Sequence, residues 1–243
     1  GDDFGDHEEI PVWKRRLPLL ACMGYSLLAF SQILLDEIIP LFTHGCLGFN
    51  SQEIGMLLAV GGVSILLVSF ITSRITARFG KINSYTTTGI LSILVGFLIP
   101  LAAYVHASSK RAAVVLMIVS VPIIRSLQVV GFTSIMVLVN NSVPVSELGR
   151  VNGLGQALAA AARGVGPVLG GSLWSMSLGL AEKGDETATS LCPSRADGAV
   201  VIPFVARAIL LAMVVAIGCM MPASLEVSPT TEDGEGGGAG GEG

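Results

Sequence analysis

The sequence predicts an all-α membrane protein built from six transmembrane helices. Three observations carry that expectation. Hydrophobic residues make up 51% of the 243-residue chain and charged residues only 13%, about half the charged share of a soluble domain. Mean hydropathy is +0.73. Apolar runs with few or no charges recur at about the 20-residue length a helix needs to cross a bilayer.

The runs follow one another at short intervals. Leu17 to Leu35 is the first, and it continues past Asp36 and Glu37 to Phe42. Ile54 to Ser73 is the second and Ile82 to Val105 the third. Ala112 to Val143, Val151 to Leu178 and Val200 to Met221 complete the set, interrupted by Arg125, Arg163 and Arg207 respectively. Residues 1–16 read as the cytoplasmic end of a central loop, 17–221 as the bundle, and 222–243 as a disordered acidic, glycine-rich tail. The chain begins at Gly1 with no leader before the first run, so it is expected to be the downstream part of a longer protein.

Basic residues orient the bundle. Lys14, Arg15, Arg16, Arg74, Arg78, Lys81 and Arg150 fall on one side, against Lys110, Arg111, Lys183 and Arg195 on the other. Seven against four places both ends in the cytoplasm by the positive-inside rule. No basic, aromatic-studded patch exists, so nucleic acid is not an expected partner. On this topology Asn140-Asn141-Ser142 is a helix end and not a glycan site. Cys22 and Cys219 lie in apolar runs and read as small core residues. Cys46 and Cys192 fall in loops on one side. A bridge between them is open, with unpaired thiols the default.

Ionisable groups inside a span are costly, about 2.5–3.5 kcal/mol on insertion scales, and are functional candidates for that reason. Tyr25, Gln32 and Asp36 share one face of the first span at spacings of seven and four. That stripe favours Asp36 over Glu37 as the cavity-facing acid. Its proton would come and go during a cycle. The bland alternative is a pair of acids meeting water at the outer end. Arg125 lies 13 residues into its span with Gln128 one turn on. Arg163 stands at similar depth on a polar and small stripe of Asn152, Gln156, Ala159, Gly166 and Gly170. Each arginine needs a partner: Asp36, an acid elsewhere, a carbonyl or an anionic solute. At least one is expected to face a central cavity, the rival being an internal ion pair. Arg207, nearer an outer end, is expected to snorkel. The histidines His7, His44 and His106 read as lying outside the spans. No metal site and no cofactor are therefore expected. Without a membrane-embedded histidine or a GxSG-like turn, an intramembrane serine protease is disfavoured too.

The stretch "ARGVGPVLGG" from Ala162 to Gly171 would weaken a water-exposed helix. In a membrane, small residues allow close helix approach and neighbours cover a proline bend. The spacing of Gly153, Ala162, Gly166, Pro167, Gly170 and Gly171 resembles the antiporter motif of the major facilitator superfamily, with Ala162 in place of a glycine. The link "SRITARFGKI" (73–82) is similar to that family's cytoplasmic-loop signature. There Arg78, Gly80 and Lys81 match, Arg74 adds charge, and Ala77 stands where the family has an aspartate. "LLDEIIPLF", "GFNSQEIG", "FTSIMVLVNNSVP", "GRVNGLGQA" and "GPVLGGSLWS" together resemble the second, C-terminal six-helix half of zinc-induced-facilitator-like and tetracycline-efflux-type proton antiporters. The resemblance implies that the chain pairs with an N-terminal six-helix half. It implies proton-coupled antiport of a small organic solute, metal chelate or cation. The mid-depth arginines add an anionic or chelated solute as a hypothesis. A transport-inactive receptor or scaffold of the same fold is the alternative.

Overall fold

The computed structural model describes residues 14–182, 192–193 and 198–227. Seven α-helices carry the described part: α1 (Arg16–Leu47), α2 (Ser51–Phe79), α3 (Lys81–Gly96), α4 (Leu98–Ser108), α5 (Lys110–Asn141), α6 (Leu148–Glu182) and α7 (Ile202–Met220). No strand occurs among the described residues. Helices α3 and α4 form one rod, broken at Phe97. Pro100 is the cause, because it lacks the N–H that would bond the carbonyl of Gly96.

Five rods are long and apolar enough to cross a membrane: α1, α2, α3 with α4, α5, and the stretch Ala199–Met220 that contains α7. Helix α6, the expected fifth span, is not among them despite its 35 residues. Its glycines and serines dilute the apolar content without shortening the helix.

The ends of the rods are written in local chemistry. Gly48 closes α1 at φ +66°, its N–H bonding His44 O. Asn50 caps α2 in a reciprocal box with Glu53: Asn50 Oδ1 accepts from Glu53 N at 2.9 Å, and Asn50 N donates to Glu53 Oε2 at 2.8 Å. Ser109 Oγ accepts from Ala112 N at the start of α5. Pro40, Pro122 and Pro167 sit inside α1, α5 and α6.

Several expectations need correction. Helix α2 runs to Phe79, so Arg74 and Arg78 are exposed residues of its last turns, and the link to α3 is Gly80 alone, at φ +83°. His44 and His106 lie in the last turns of α1 and α4, inside the rods. The segment after Met221 does not begin as a loose tail. Ala223–Glu226 form a one-turn 3-10 helix with Leu225 buried. Residues 1–13 and 228–243, with their acidic runs, lie outside the described residues.

Packing repeats itself. Helix α1 packs on α6 and α7, while α5 packs on α2 and α3. Exchanging the first three rods for the last three leaves that pattern unchanged, the internal symmetry common in transporter halves. Helices α2 and α6 are therefore equivalent flanks. Only Leu57, Gly61 and Thr72 of α2 are buried, and it exposes Met56, Val63, Leu66, Leu67 and Phe70. The apolar core forms two clusters. One surrounds Leu34, Ile38, Phe42, Ile99, Met117, Val121, Ile124 and Phe204. The other surrounds Ala21, Tyr25, Leu28, Tyr85, Ile135, Leu138 and Leu211. Between them along the chain lie polar residues on four rods: Ser31, Ser92, Arg125 with Gln128, and Arg207.

The two ends of the bundle are held differently. At one, Cys46 and Cys192 form a disulfide, which corrects the default of unpaired thiols. The fold brings these residues' Cα atoms within 4.6 Å across 146 residues of sequence. Cys22 is buried, but Cys219 is exposed, contrary to its reading as a core residue. At the other, basal end, Arg15 donates two hydrogen bonds to Glu147, at 2.7 and 3.1 Å. Glu226 accepts from Lys81 N and Ile82 N at 2.8 and 2.7 Å, capping α3, and the Lys81 ammonium bonds the Glu226 carbonyl. Asn141 Nδ2 donates to Leu225 O at 2.8 Å, tying the end of α5 to the 3-10 turn, while Ser142 Oγ donates to Val139 O at the helix end.

Candidate functional site

Position 36 sits where α1 meets α5. Asp36 forms an ion pair with Arg125, their side chains 28% and 12% exposed. The missing side chain of Gly61 on α2 makes room for this arginine: a Cβ there would stand 3.3 Å from Arg125 Cγ. Ser64, one turn further along α2, donates to the carbonyls of Gly61 and Pro122, tying α2 to α5 beside the pair. Glu37 turns toward α6, its Cβ 3.1 Å from where a Gly170 Cβ would lie. The adjacent acids thus serve different neighbours, as 100° per residue on a helix requires.

Arg207 corrects the snorkelling expectation. It is 2% exposed, and its Nη1 donates to Ser92 O at 3.1 Å. Its Nε and Nη2 have no hydrogen-bond partner. A Cβ on Gly96 would stand 2.8 Å from Nη1, so the glycine provides the space this guanidinium occupies. Asp36 lies within electrostatic reach of both arginines. Gln128 is 4% exposed, and neither of its amide heteroatoms is hydrogen-bonded.

The remaining expected residues divide. Tyr25, Asn152 and Gln156 meet Gly155, Met136 and Val139 around a cleft of about 10 Å³, room for about one water. Tyr25 packs edge-on to Phe132 with ring centres 5.8 Å apart, and Asn152 Nδ2 donates to Asn140 Oδ1 at 2.9 Å. Gln32 is half-buried on α1. Arg163 is exposed and is not a member of the Asp36–Arg125 ion pair. The glycine stripe divides as well. Gly166 and Gly170 are buried against α1, where Ile33 leaves no room for a Cβ on Gly166. Gly153 and Pro167 are exposed, Ala162 and Gly171 half-buried, and a Cβ on Gly153 or Gly171 would meet nothing.

Sequence reasoning missed the part Arg207 plays with Ser92 and Gly96. The available signal was depth. Asp36 and Arg207 are both several residues inside the same end of their rods, close enough in level to interact.

Comparisons with known proteins agree with this architecture. A multidrug transporter of the fungus Aspergillus fumigatus, named as a major facilitator superfamily protein, is 27% identical over 173 residues, covering 64% of this chain and 28% of that protein. A probable peptide/nitrate transporter of Arabidopsis thaliana is 24% identical over 174 residues, covering 68% of this chain and 35% of its own. The chain thus matches about a third of the length of these curated relatives. No solved structure matches. The family model described as Major Facilitator Superfamily matches residues 8–177. That match covers more than half of the chain, and this integral membrane protein therefore belongs to the Major Facilitator Superfamily.

Proposed function

We propose that this chain is the second six-helix half of a proton-coupled secondary antiporter. A small organic solute, metal chelate or cation would pass along the face that carries Asp36 and Arg125. The observation that carries the reading is the ion pair itself. A charged pair part-way along apolar rods, partly open on one side, is costly and is for that reason a candidate for a solute or proton pathway. Transport, not catalysis, is the activity the family match favours. The sparsely buried flanks α2 and α6 suit contact with an N-terminal half, the two halves rocking about a shared midplane site. Both chain ends are assigned to the cytoplasm. The seven-to-four excess of basic residues supports this. So does the disulfide at the opposite end, since such bonds persist in oxidising compartments.

The test is solute-driven proton movement in proteoliposomes holding the full-length protein, read with an entrapped pH dye. The solutes are organic cations, amino-acid–metal chelates and nitrate. Wild type should move protons against at least one of them, and Arg125→Ala or Asp36→Asn should reduce the rate at least about ten-fold. Proton flux that no solute evokes, or that both variants leave intact, overturns the reading in favour of a transport-inactive receptor or scaffold.

A further inference from the structure

One carboxylate, Asp36, is ion-paired with Arg125 and lies within electrostatic reach of a second guanidinium, Arg207, of lesser freedom. Arg125 is 12% exposed beside Asp36 at 28%, while Arg207 is 2% exposed and anchored to Ser92 O. Arg207 also holds two buried donors, Nε and Nη2, that bond nothing. Buried donors without partners are rare, and each is costly in isolation. Glu37 adds a like charge beside Asp36, which increases the need for a second cation near this acid.

We propose that Asp36 is handed between the two arginines, which frees Arg125 to bind a small oxyanion. In the resting arrangement the carboxylate pairs with Arg125, and Arg207 balances it from behind. When a carboxylate or phosphate group of a solute arrives at the open face, Arg125 turns its planar fork to it. Such a fork suits bidentate binding of either group. Asp36 then moves onto the vacant Nε and Nη2 donors of Arg207, so no acid is left uncompensated. Arg207 is a positioning residue here: it does not touch the solute. The buried amide of Gln128, one turn from Arg125 with no partner of its own, supplies a further polar contact as the arginine shifts. This inference rests on the reading of the Asp36–Arg125 face as the solute pathway, and it names the solute's chemistry.

The test is binding of succinate and of inorganic phosphate to the full-length protein in detergent, followed as a ligand-dependent rise in melting temperature. Wild type should bind one of them saturably. Arg207→Gln should weaken that binding at least about ten-fold although the residue is sealed from solvent. Arg207→Lys, which keeps the charge, should stay within a few-fold. Asp36→Asn removes the competing carboxylate and should tighten it. A merely structural Arg207 would lower the melting temperature without altering oxyanion affinity. Wild-type affinity in Arg207→Gln overturns the hand-off. If that variant does not fold, Asp36→Asn decides, and unchanged or weaker binding there overturns it. Succinate or phosphate flux in proteoliposomes separates the two readings. Binding with this variant pattern but without flux keeps the hand-off and rejects transport, and flux with affinity indifferent to position 207 does the reverse.

Discussion

The middle of the bundle and its basal end each contain an arginine–carboxylate pair and a glycine fitted against a neighbour. In the middle these are Arg125 with Asp36, and Gly166 against Ile33. At the basal end they are Arg15 with Glu147, and Gly80 against Glu226. The chemistry is alike and the surroundings are not. The basal pair joins helix ends where the Arg15 side chain is 33% exposed, although Glu147 is 9% exposed, so the guanidinium can be rehydrated when its acid is lost. The middle pair stands among apolar rods, where a lone guanidinium has no such refuge. The same two functional groups are thus a fastener at one place and a constraint at the other.

The largest effect should come from breaking the middle pair one-sidedly. Asp36→Leu leaves Arg125 and Arg207 without their carboxylate and should cost about 3–5 kcal/mol in detergent unfolding. Next comes the middle glycine. Gly166→Val drives methyl groups into Ile33 and should cost about 1–3 kcal/mol, with loss of the α1–α6 contact visible as faster hydrogen exchange in both helices. At the basal end, Glu226→Ala removes the acceptor for two backbone N–H groups of α3 and should cost about 1 kcal/mol. Exchange should then rise only in the first turn of α3. The smallest effect belongs to Glu147→Gln, which leaves the 33%-exposed Arg15 within reach of water, at or below about 1 kcal/mol and shrinking further in high salt. If Glu147→Gln proved as damaging as Asp36→Leu, the contrast between the two regions would be lost.

Much of the fold was legible because a membrane imposes a length. Runs such as Ile82 to Val105 and Ala112 to Val143 announced helices by composition alone, and the structure places rods there. Helix α6 was legible by another route, through its glycines, though its hydropathy falls short. The ends were less legible, since charged residues such as Arg74 and Arg78 continue a helix as readily as they leave it. The site was readable where its partners are periodic: Asp36 was preferred over Glu37 from a stripe on one helix. It was unreadable where partners come from distant rods. Nothing near Arg207 in sequence points to Ser92, 115 residues earlier. The tail acid Glu226 likewise looked like one of many solvated charges until the fold set it on the start of α3. The Cys46–Cys192 bond was open for the same reason, with half of its loop outside any periodic pattern.

The bend in the third rod has a consequence of its own. Gly96 and Ser92 lie on the turn just before the break, and both are engaged by Arg207, one through missing bulk and the other through its carbonyl. The guanidinium is in effect a wedge in a joint. Any movement that straightens this rod must first draw the wedge out, and any side chain added at position 96 would expel it. The angle of the joint and the location of a buried positive charge are a single mechanical variable.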